Sequence, residues 1–183
     1  MEINFKASLI NTSTIKKQIK NTNKYIDTKA SFIELDLSSR KDMRTLKRLK
    51  SKWNAPFLNS IFSHAKRKLP NWKLYALTTQ EDNYDKLKTD DILGFAQTSK
   101  YTPSMINLEY LQVKPEYTHR NKQTQFKHIG SSIIDCLKNL ENISRIDVTS
   151  VLEEVDFYIL NGFSFDIDIL NESNLFWERN KKR

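Results

Sequence analysis

The sequence predicts one α+β domain. Its 183 residues match the size of a single domain. Apolar residues recur with a period of two in some segments and with helical spacing in others, and no internal repeat, linker or low-complexity tract interrupts them. The predicted order is β-α-α-β-β-β-α-β-α-β-β, which favours strands and helices packed around one core.

The first half of the chain predicts a strand followed by two helices. Residues 1–30 are rich in Asn, Thr, Lys and Ile, and their weak pattern leaves an extra strand, a helix and a loosely held arm equally open. Residues 31–37 alternate between apolar and polar side chains, which is typical of a half-buried strand. Ser39 begins a capping box for one helix, and Asn54 can cap a second.

The second half predicts six further strands and two further helices. The strands are bounded by polar stretches and by Pro115, and they cover residues 72–79, 92–99, 105–114, 145–151, 163–169 and 174–179. One helix carries apolar residues from Ile129 to Leu140. Another follows Glu153 and ends at Gly162, because glycine readily adopts the left-handed conformation that terminates a helix.

The charge is distributed unevenly along the chain. Residues 1–73 hold 17 basic and 5 acidic side chains, a net charge of +12, whereas residues 74–183 carry a net charge of −4. A basic half indicates an anionic partner such as phosphate, nucleic acid or an acidic substrate. The alternative is a compositional bias that leaves lysines on solvated helix faces.

Other features of the composition exclude several classes of protein. Cys136 is the single cysteine, which excludes a disulfide framework and a zinc site built from cysteines. The three histidines lie far apart in the sequence, so no metal is expected. No apolar run approaches the roughly 18 residues of a membrane span, and no signal peptide is recognisable. We therefore expect a cytoplasmic protein without membrane contact.

One segment has the pattern of an anion site. A strand and a polar stretch, residues 116–127, lead into a helix whose first turn contains Gly130. The first N–H groups of a helix have no partner within it, and the helix dipole is positive at that end. Lys127 adds a positive charge beside them. The pattern predicts that a phosphate group binds at the start of this helix.

Four segments follow one another along this chain in an order typical of one enzyme family. They are ILGFAQ (92–97), LEYLQVKPEY (108–117), QFKHIGSS (125–132) and FYILNGF (157–163). The second is a strand followed by a V-x-P-x-Y turn, and the third is a phosphate loop in which His128 replaces the usual first glycine. On these motifs, residues 31–179 resemble the GNAT superfamily of acetyl-CoA-dependent N-acetyltransferases.

The resemblance implies a fold. We expect a single mixed, mostly antiparallel sheet of about seven strands, flanked by helices in a three-layer α/β/α arrangement. The fourth and fifth strands, residues 105–114 and 145–151, would splay apart and open a notch. The acetyltransferase domain would span residues 31–183, and residues 1–30 would form an N-terminal extension of unknown role.

The resemblance also implies where acetyl-CoA binds. The thioester would lie against the backbone of the fourth strand, at Leu111, Gln112 and Val113, with the Val113 N–H facing the developing oxyanion. Pantetheine would pair with this strand edge like an added strand. The diphosphate would bind the phosphate loop, formed by Gln125, Phe126, Lys127, His128, Ile129, Gly130 and Ser131.

Two residues are candidates for proton transfer. Tyr158 lies in the FYILNGF motif and is the candidate general acid for the leaving CoA thiolate. Its alternative role is that of a core aromatic. Glu109, four residues before Val113, is the candidate base that deprotonates the amine directly or through water. Its alternative role is that of an exposed strand glutamate.

The function implied is transfer of an acetyl group from acetyl-CoA to a primary amine by direct attack on the thioester. The acceptor would be anionic or associated with nucleic acid if the basic half contacts it, and the protein would be a monomer or a homodimer. The alternative from another class is a non-catalytic module, either a CoA-binding sensor with a GNAT-like fold or a basic RNA-associated domain.

Overall fold

A computed structural model of the chain describes residues 7–53, 57–67, 71–118, 124–166 and 173–179. Its strands are β1 Ser8–Gln18, β2 Tyr25–Leu35, β3 Trp72–Thr78, β4 Ile92–Thr102, β5 Met105–Val113, β6 Phe126–Lys127, β7 Arg145–Thr149, β8 Ser164–Phe165 and β9 Asn174–Glu178. Its helices are α1 Arg40–Trp53, α2 Phe57–Arg67, α3 Ile129–Lys138 and α4 Val155–Leu160.

All nine strands form one sheet in the order β6-β1-β2-β3-β4-β5-β7-β9-β8. Only β5 and β7 pair in parallel, and all other neighbours are antiparallel. The predicted mixed, mostly antiparallel sheet is confirmed, with nine strands in place of about seven. The two additional strands are β1 and β6.

The extra strand β1 comes from the N-terminal segment, for which the sequence left three structures open. Ile15 is its only buried residue. The strand is held instead by backbone pairing with β2 across ten residue pairs and with β6 on its other side. Because backbone hydrogen bonds need no particular side chains, β1 lacks the apolar alternation that marks a strand in sequence. The same pairing extends the strand predicted at 31–37 back to Tyr25.

Helices cover both faces of the sheet, which confirms the three-layer arrangement. One cluster of buried residues joins α1 and α2 to β2, β3 and β4, and includes Leu46, Leu49, Leu58, Ile33 and Phe95. A second cluster joins α3 and α4 to the opposite face, and includes Ile133, Leu137, Tyr158, Phe32 and Leu108. Among the described residues, no helix is both long and apolar enough to cross a membrane.

The structure describes some of the residues that were predicted to begin or end helices. The Ser39 Oγ accepts a hydrogen bond from the Asp42 N–H at 3.4 Å, which confirms Ser39 as a cap of α1. The reciprocal half of the capping box is not formed, because the Ser39 N–H donates to the Asp36 oxygen and the Asp42 carboxylate accepts from the Asp36 N–H. Gly162 has φ +76°, which confirms it as the left-handed residue after α4. The predicted cap at Asn54 and residues 167–169 of the final hairpin lie outside the described residues.

The sheet opens between β5 and β7. The two strands pair only from Met105 opposite Arg145 to Leu108 opposite Val148. The rest of β5, as far as Val113, pairs with β4 alone. The predicted separation of these two strands is therefore present, and it leaves one edge of β5 open.

Gly94 sits on β4 where the sheet meets α3. A β-carbon built there would lie 2.8 Å from Ile133 Cδ1 and 3.0 Å from the Gln112 backbone oxygen. We expect Gly94→Ala to lower the free energy of unfolding by about 1–3 kcal/mol, since overpacking forces neighbours to shift. Urea denaturation measures this, with Lys100→Ala, at an exposed position of the same strand, as the control. An unchanged free energy of unfolding would contradict the close packing.

Candidate active site

A cleft of about 860 Å³ lies where β5 and β7 separate. The end of β5, the start of α3 and the helix α4 form its walls. It is lined by Leu111, Gln112, Val113, Pro115, Tyr117, Thr118, Thr124, Lys127, His128, Ile129, Gly130, Ser131, Glu154, Phe157 and Tyr158. Most of the site residues predicted from the sequence therefore meet in one cleft.

The open edge of β5 presents backbone groups to this cleft. The Lys114 N–H donates to the Leu93 oxygen on β4 at 2.8 Å. Hydrogen-bonded and non-hydrogen-bonded pairs alternate along an antiparallel ladder, so the N–H and C=O groups of Val113 and Leu111 point away from β4. These groups face the side on which β7 is absent. The Val113 N–H is thus oriented to act as a donor in the cleft.

The phosphate loop ends at a helix start of the predicted kind. His128 precedes α3 with φ 64°, a left-handed conformation that histidine tolerates better than most residues and glycine best of all. A glycine at this position would adopt the same φ without the steric cost of a side chain. The first intrahelical bond runs from the Ser132 N–H to the His128 oxygen. The N–H groups of Ile129, Gly130 and Ser131 precede it and have no acceptor within the helix.

At Gly130 the first turn of α3 lies close to both other walls of the cleft. A β-carbon at this position would lie 3.0 Å from Phe157 Cζ on α4 and 3.7 Å from Val113 Cγ2 on β5. The first contact is tighter than side chains normally tolerate. Glycine therefore lets the first turn of α3 approach α4, and this approach brings the helix N–H groups next to the β5 edge.

Tyr158 is buried in the wall of the cleft, with 7% of its surface exposed. Its ring packs edge-to-face against Phe157 and Phe163, at centroid distances of 5.1 and 5.4 Å. Burial, with a smaller contribution from the charge of Glu154, raises the pKa of Tyr158 to about 12. The hydroxyl is protonated at neutral pH. Among the described residues it has no hydrogen-bond partner, so its proton is available to a bound molecule.

Glu109 does not line the cleft. It lies at a β-bulge in β5, where the register with β4 shifts between Gln97 and Thr98. Its carboxylate accepts hydrogen bonds from Ser99 Oγ at 2.5 Å and from Asn107 Nδ2 at 2.9 Å. Ser99 is on the face of β4 that also carries Phe95 of the α1–α2 cluster. The carboxylate is therefore held on the sheet face that α1 and α2 cover.

Gln125 and Phe126 also lie outside the lining, and they hold the phosphate loop from behind. Gln125 accepts at its backbone oxygen from the Gln18 N–H at 2.8 Å, and at Oε1 from the Tyr117 hydroxyl at 3.2 Å. Phe126 is buried and packs edge-to-face against Tyr117. Both residues belong to the segment predicted as the phosphate loop, and neither of them lines the cleft.

Sequence reasoning did not assign several residues that line the cleft: Pro115, Tyr117, Thr118, Thr124, Glu154 and Phe157. Three of them, Pro115, Tyr117 and Phe157, lie within the four motifs, one to four residues from an assigned position. Their closeness to assigned residues in the sequence could have identified them as candidates. Tyr117 shows why they matter, because burial and the neighbouring Glu116 raise the pKa of its hydroxyl. It too is protonated at neutral pH.

Comparisons with known proteins bear on the fold. No family model and no curated protein matches the chain. Among solved structures, the N-acetyltransferase PseH from Campylobacter jejuni superposes with a TM-score of 0.51 at 12% identity, over 82% of this chain and 99% of that chain. AtaT complexed with acetyl-methionyl-tRNAfMet gives 0.52 at 13% identity, over 81% and 94%.

Two further structures extend this similarity. A variant of AtaT bound to acetyl-CoA and to the C-terminus of the antitoxin AtaR gives a TM-score of 0.51 at 13% identity, over 81% of this chain and 92% of that chain. A chimera of spermidine N-acetyltransferase SpeG from Vibrio cholerae and hSSAT gives 0.50 at 12% identity, over 81% and 95%. With the sheet order and the open β5 edge, these similarities establish that the chain has the fold of the GNAT superfamily N-acetyltransferases.

Proposed function

We propose that this chain transfers an acetyl group from acetyl-CoA to a primary amine by direct attack on the thioester. One observation carries the proposal: the open β5 edge, the N-terminus of α3 and Tyr158 line the same cleft. Each supplies a different requirement of the reaction, namely a donor for the carbonyl oxygen, a site for the diphosphate and a proton for the leaving thiolate.

The cleft suits the parts of acetyl-CoA in order. Pantetheine carries amide groups, which pair with the outward N–H and C=O groups of Leu111 and Val113 in the manner of an added strand. The diphosphate is anionic and fits the N–H groups of Ile129, Gly130 and Ser131. The comparison with the acetyl-CoA complex of AtaT supports the same cofactor.

The chain's own groups act on the transferred acetyl group. The Val113 N–H stabilises the negative charge that forms on the carbonyl oxygen as the amine nitrogen attacks. The carbon–nitrogen bond forms and the carbon–sulfur bond breaks, and Tyr158 donates its proton to the departing sulfur. Because Glu109 lies outside the cleft, on the sheet face that α1 and α2 cover, it takes the proton that the amine loses through water.

The state of the single cysteine supports direct transfer. Cys136 is 3% exposed on α3 and does not line the cleft. Burial raises the pKa of its thiol to about 11, so the thiolate that an acyl-enzyme would need is scarce at neutral pH. The reaction therefore proceeds without a cysteine-bound intermediate.

Two measurements test the proposed function. Isothermal titration measures whether acetyl-CoA binds, and a thiol-release assay measures turnover over a panel of amines. The panel contains polyamines, aminoacyl-tRNA and acidic peptides with free amino groups. Binding with release of CoA supports the enzyme, binding without release on every amine supports the CoA-binding sensor, and absence of binding overturns both.

The acceptor we propose is an amine carried by a polyanion. Helix α1 has seven basic residues, all exposed, and its one acidic residue, Asp42, is buried. Lys41 and Lys52 pair with Asp85 and Asp90. The four basic residues in the middle of α1 have no acidic partner among the described residues. They are Arg44, Lys47, Arg48 and Lys50. A cationic surface of this kind favours nucleic acid, as does the complex of AtaT with acetyl-methionyl-tRNAfMet.

Charge reversal on α1 tests the acceptor. We expect Arg44→Glu, Lys47→Glu and Arg48→Glu together to raise the KM for an aminoacyl-tRNA at least about tenfold, and to flatten its dependence on salt, because fewer phosphates are neutralised. The assay is run at saturating acetyl-CoA, whose affinity should stay unchanged. Reversal of Lys20, Lys24 and Lys100, exposed lysines elsewhere, is the control of equal charge. A salt-independent KM that ignores the α1 reversal would favour a small amine such as a polyamine.

A further inference from the structure

The N-terminal hairpin β1–β2 is in direct contact with the phosphate loop. Strand β6, which lies at the beginning of that loop, pairs with β1 through Lys16 opposite Lys127 and Lys17 opposite Phe126. The helix that follows is held by the same strand, because the Ser132 Oγ donates to the Thr14 oxygen at 2.9 Å. The loop therefore has partners in β1 both before and after its phosphate-facing N–H groups.

Tyr25, the first residue of β2, makes two contacts with the loop. Its hydroxyl donates to the Thr124 backbone oxygen at 2.8 Å. Its ring lies under the Lys127 ammonium, with 4.2 Å between Nζ and the ring centroid, which is within the range of a cation–π interaction. Thr124 and Lys127 both line the cleft, whereas Tyr25 does not.

The other fixings of the loop are the hydrogen bonds of Gln125, the buried ring of Phe126 and the short strand β6. Strand β6 is two residues long, and a ladder of two pairs is weak by itself. A phosphate site made of backbone N–H groups works only when those groups are held within about 0.5 Å of the productive geometry. Tyr25 anchors the loop from outside the cleft, so it affects the geometry of the phosphate site without lining it.

We propose that the β1–β2 hairpin positions the diphosphate site and that Tyr25 is its positioning residue. The proposal rests on the proposed function, since it assigns the loop to the diphosphate of acetyl-CoA. It gives the described part of the N-terminal extension, from β1 to the start of β2, a role in cofactor binding. The proposal also makes a specific prediction. Changes in the hairpin should weaken the use of acetyl donors that carry a diphosphate and should not affect the use of donors that lack one.

Substitutions at Tyr25 separate its two contacts. Tyr25→Phe removes the hydrogen bond to Thr124 and keeps the ring under Lys127, and we expect the KM for acetyl-CoA to rise about three- to tenfold. Tyr25→Leu removes both contacts, and the rise should reach about ten- to thirtyfold. The kcat and the KM for the amine should not change. Tyr101→Phe, the same change at a tyrosine that is 66% exposed, is the matched control.

The alternative donor S-acetylpantetheine distinguishes positioning from general damage, because it carries the thioester and pantetheine without phosphates. We expect kcat/KM for this donor to stay within about twofold of wild type in both Tyr25 variants. An equal loss for the two donors, or no loss with acetyl-CoA in a folded Tyr25→Leu protein, overturns the proposal.

Hydrogen exchange tests the anchor without any cofactor. Amide exchange in residues 124–131 should be faster in Tyr25→Leu than in wild type, with a smaller change in Tyr25→Phe, since the loop opens more often when its anchor is lost. Unchanged exchange in that segment overturns the anchor. If acetyl-CoA does not bind the wild-type protein, the proposed function is wrong. The hydrogen-exchange measurement uses no cofactor, so it still shows whether the hairpin holds the loop.

Discussion

Replacing Tyr158 by phenylalanine is expected to lower kcat by about 10²- to 10⁴-fold, the usual contribution of a general acid. The change keeps the ring and its packing against Phe157 and Phe163 and removes only the hydroxyl. The affinity for acetyl-CoA should stay the same, because the lost interaction is one made with the leaving thiolate in the transition state. Steady-state turnover and isothermal titration measure the two quantities.

The raised pKa of Tyr158 adds a second test. A hydroxyl whose pKa is about 12 keeps its proton throughout the range from about pH 6 to 9, so the acid itself should not cause a fall in rate on the alkaline side. Any rise in rate with pH then reports the deprotonation of the amine. Tyr117→Phe, which removes another hydroxyl from the same cleft, is the control and should keep kcat within about fivefold. A loss below fivefold in Tyr158→Phe would assign Tyr158 to packing alone.

Gly130→Asp is expected to weaken the binding of acetyl-CoA at least tenfold, or by about 1.4 kcal/mol. Two effects combine in this variant. The carboxylate places a negative charge beside the N–H groups that would bind the diphosphate. The β-carbon meets Phe157 Cζ at 3.0 Å, so α3 and α4 must separate slightly.

Gly130→Asn separates these effects, because asparagine has nearly the same shape as aspartate and no charge. We expect the asparagine variant to lose part of the affinity and the aspartate variant to lose more, with the difference shrinking as salt is added. Circular dichroism and the melting temperature confirm that both variants are folded. A folded Gly130→Asp protein with wild-type affinity would remove the diphosphate from this loop.

Much of the fold follows from local patterns. The strands β3, β4, β5, β7 and β9 are close to their predicted bounds, because apolar alternation and turn residues mark them in the sequence. The end of α4 was predictable from Gly162, whose φ of +76° is one that other residues adopt at a cost. The strand predicted at 163–169 is described only in part: β8 covers Ser164–Phe165, and residues 167–169 lie outside the described residues.

The candidate site residues divide in the same way. Val113, Gly130 and Tyr158 were predicted from motifs that resemble those of the GNAT superfamily, and all three line the cleft. The environment of Glu109 was not predictable from spacing. Its carboxylate is held by Ser99, which reaches it only because β4 and β5 pair around a bulge.

The sequence by itself determined seven of the strands, the four helices and the position of the phosphate loop, because these depend on side-chain periodicity and on residues close together in the chain. The tertiary structure alone decided that β1 joins the sheet and that Tyr25 holds Thr124. Strand β1 buries only Ile15, and its place comes from backbone hydrogen bonds to strands distant in sequence. Such bonds are available to any residue except proline, so they leave no pattern in the amino-acid sequence.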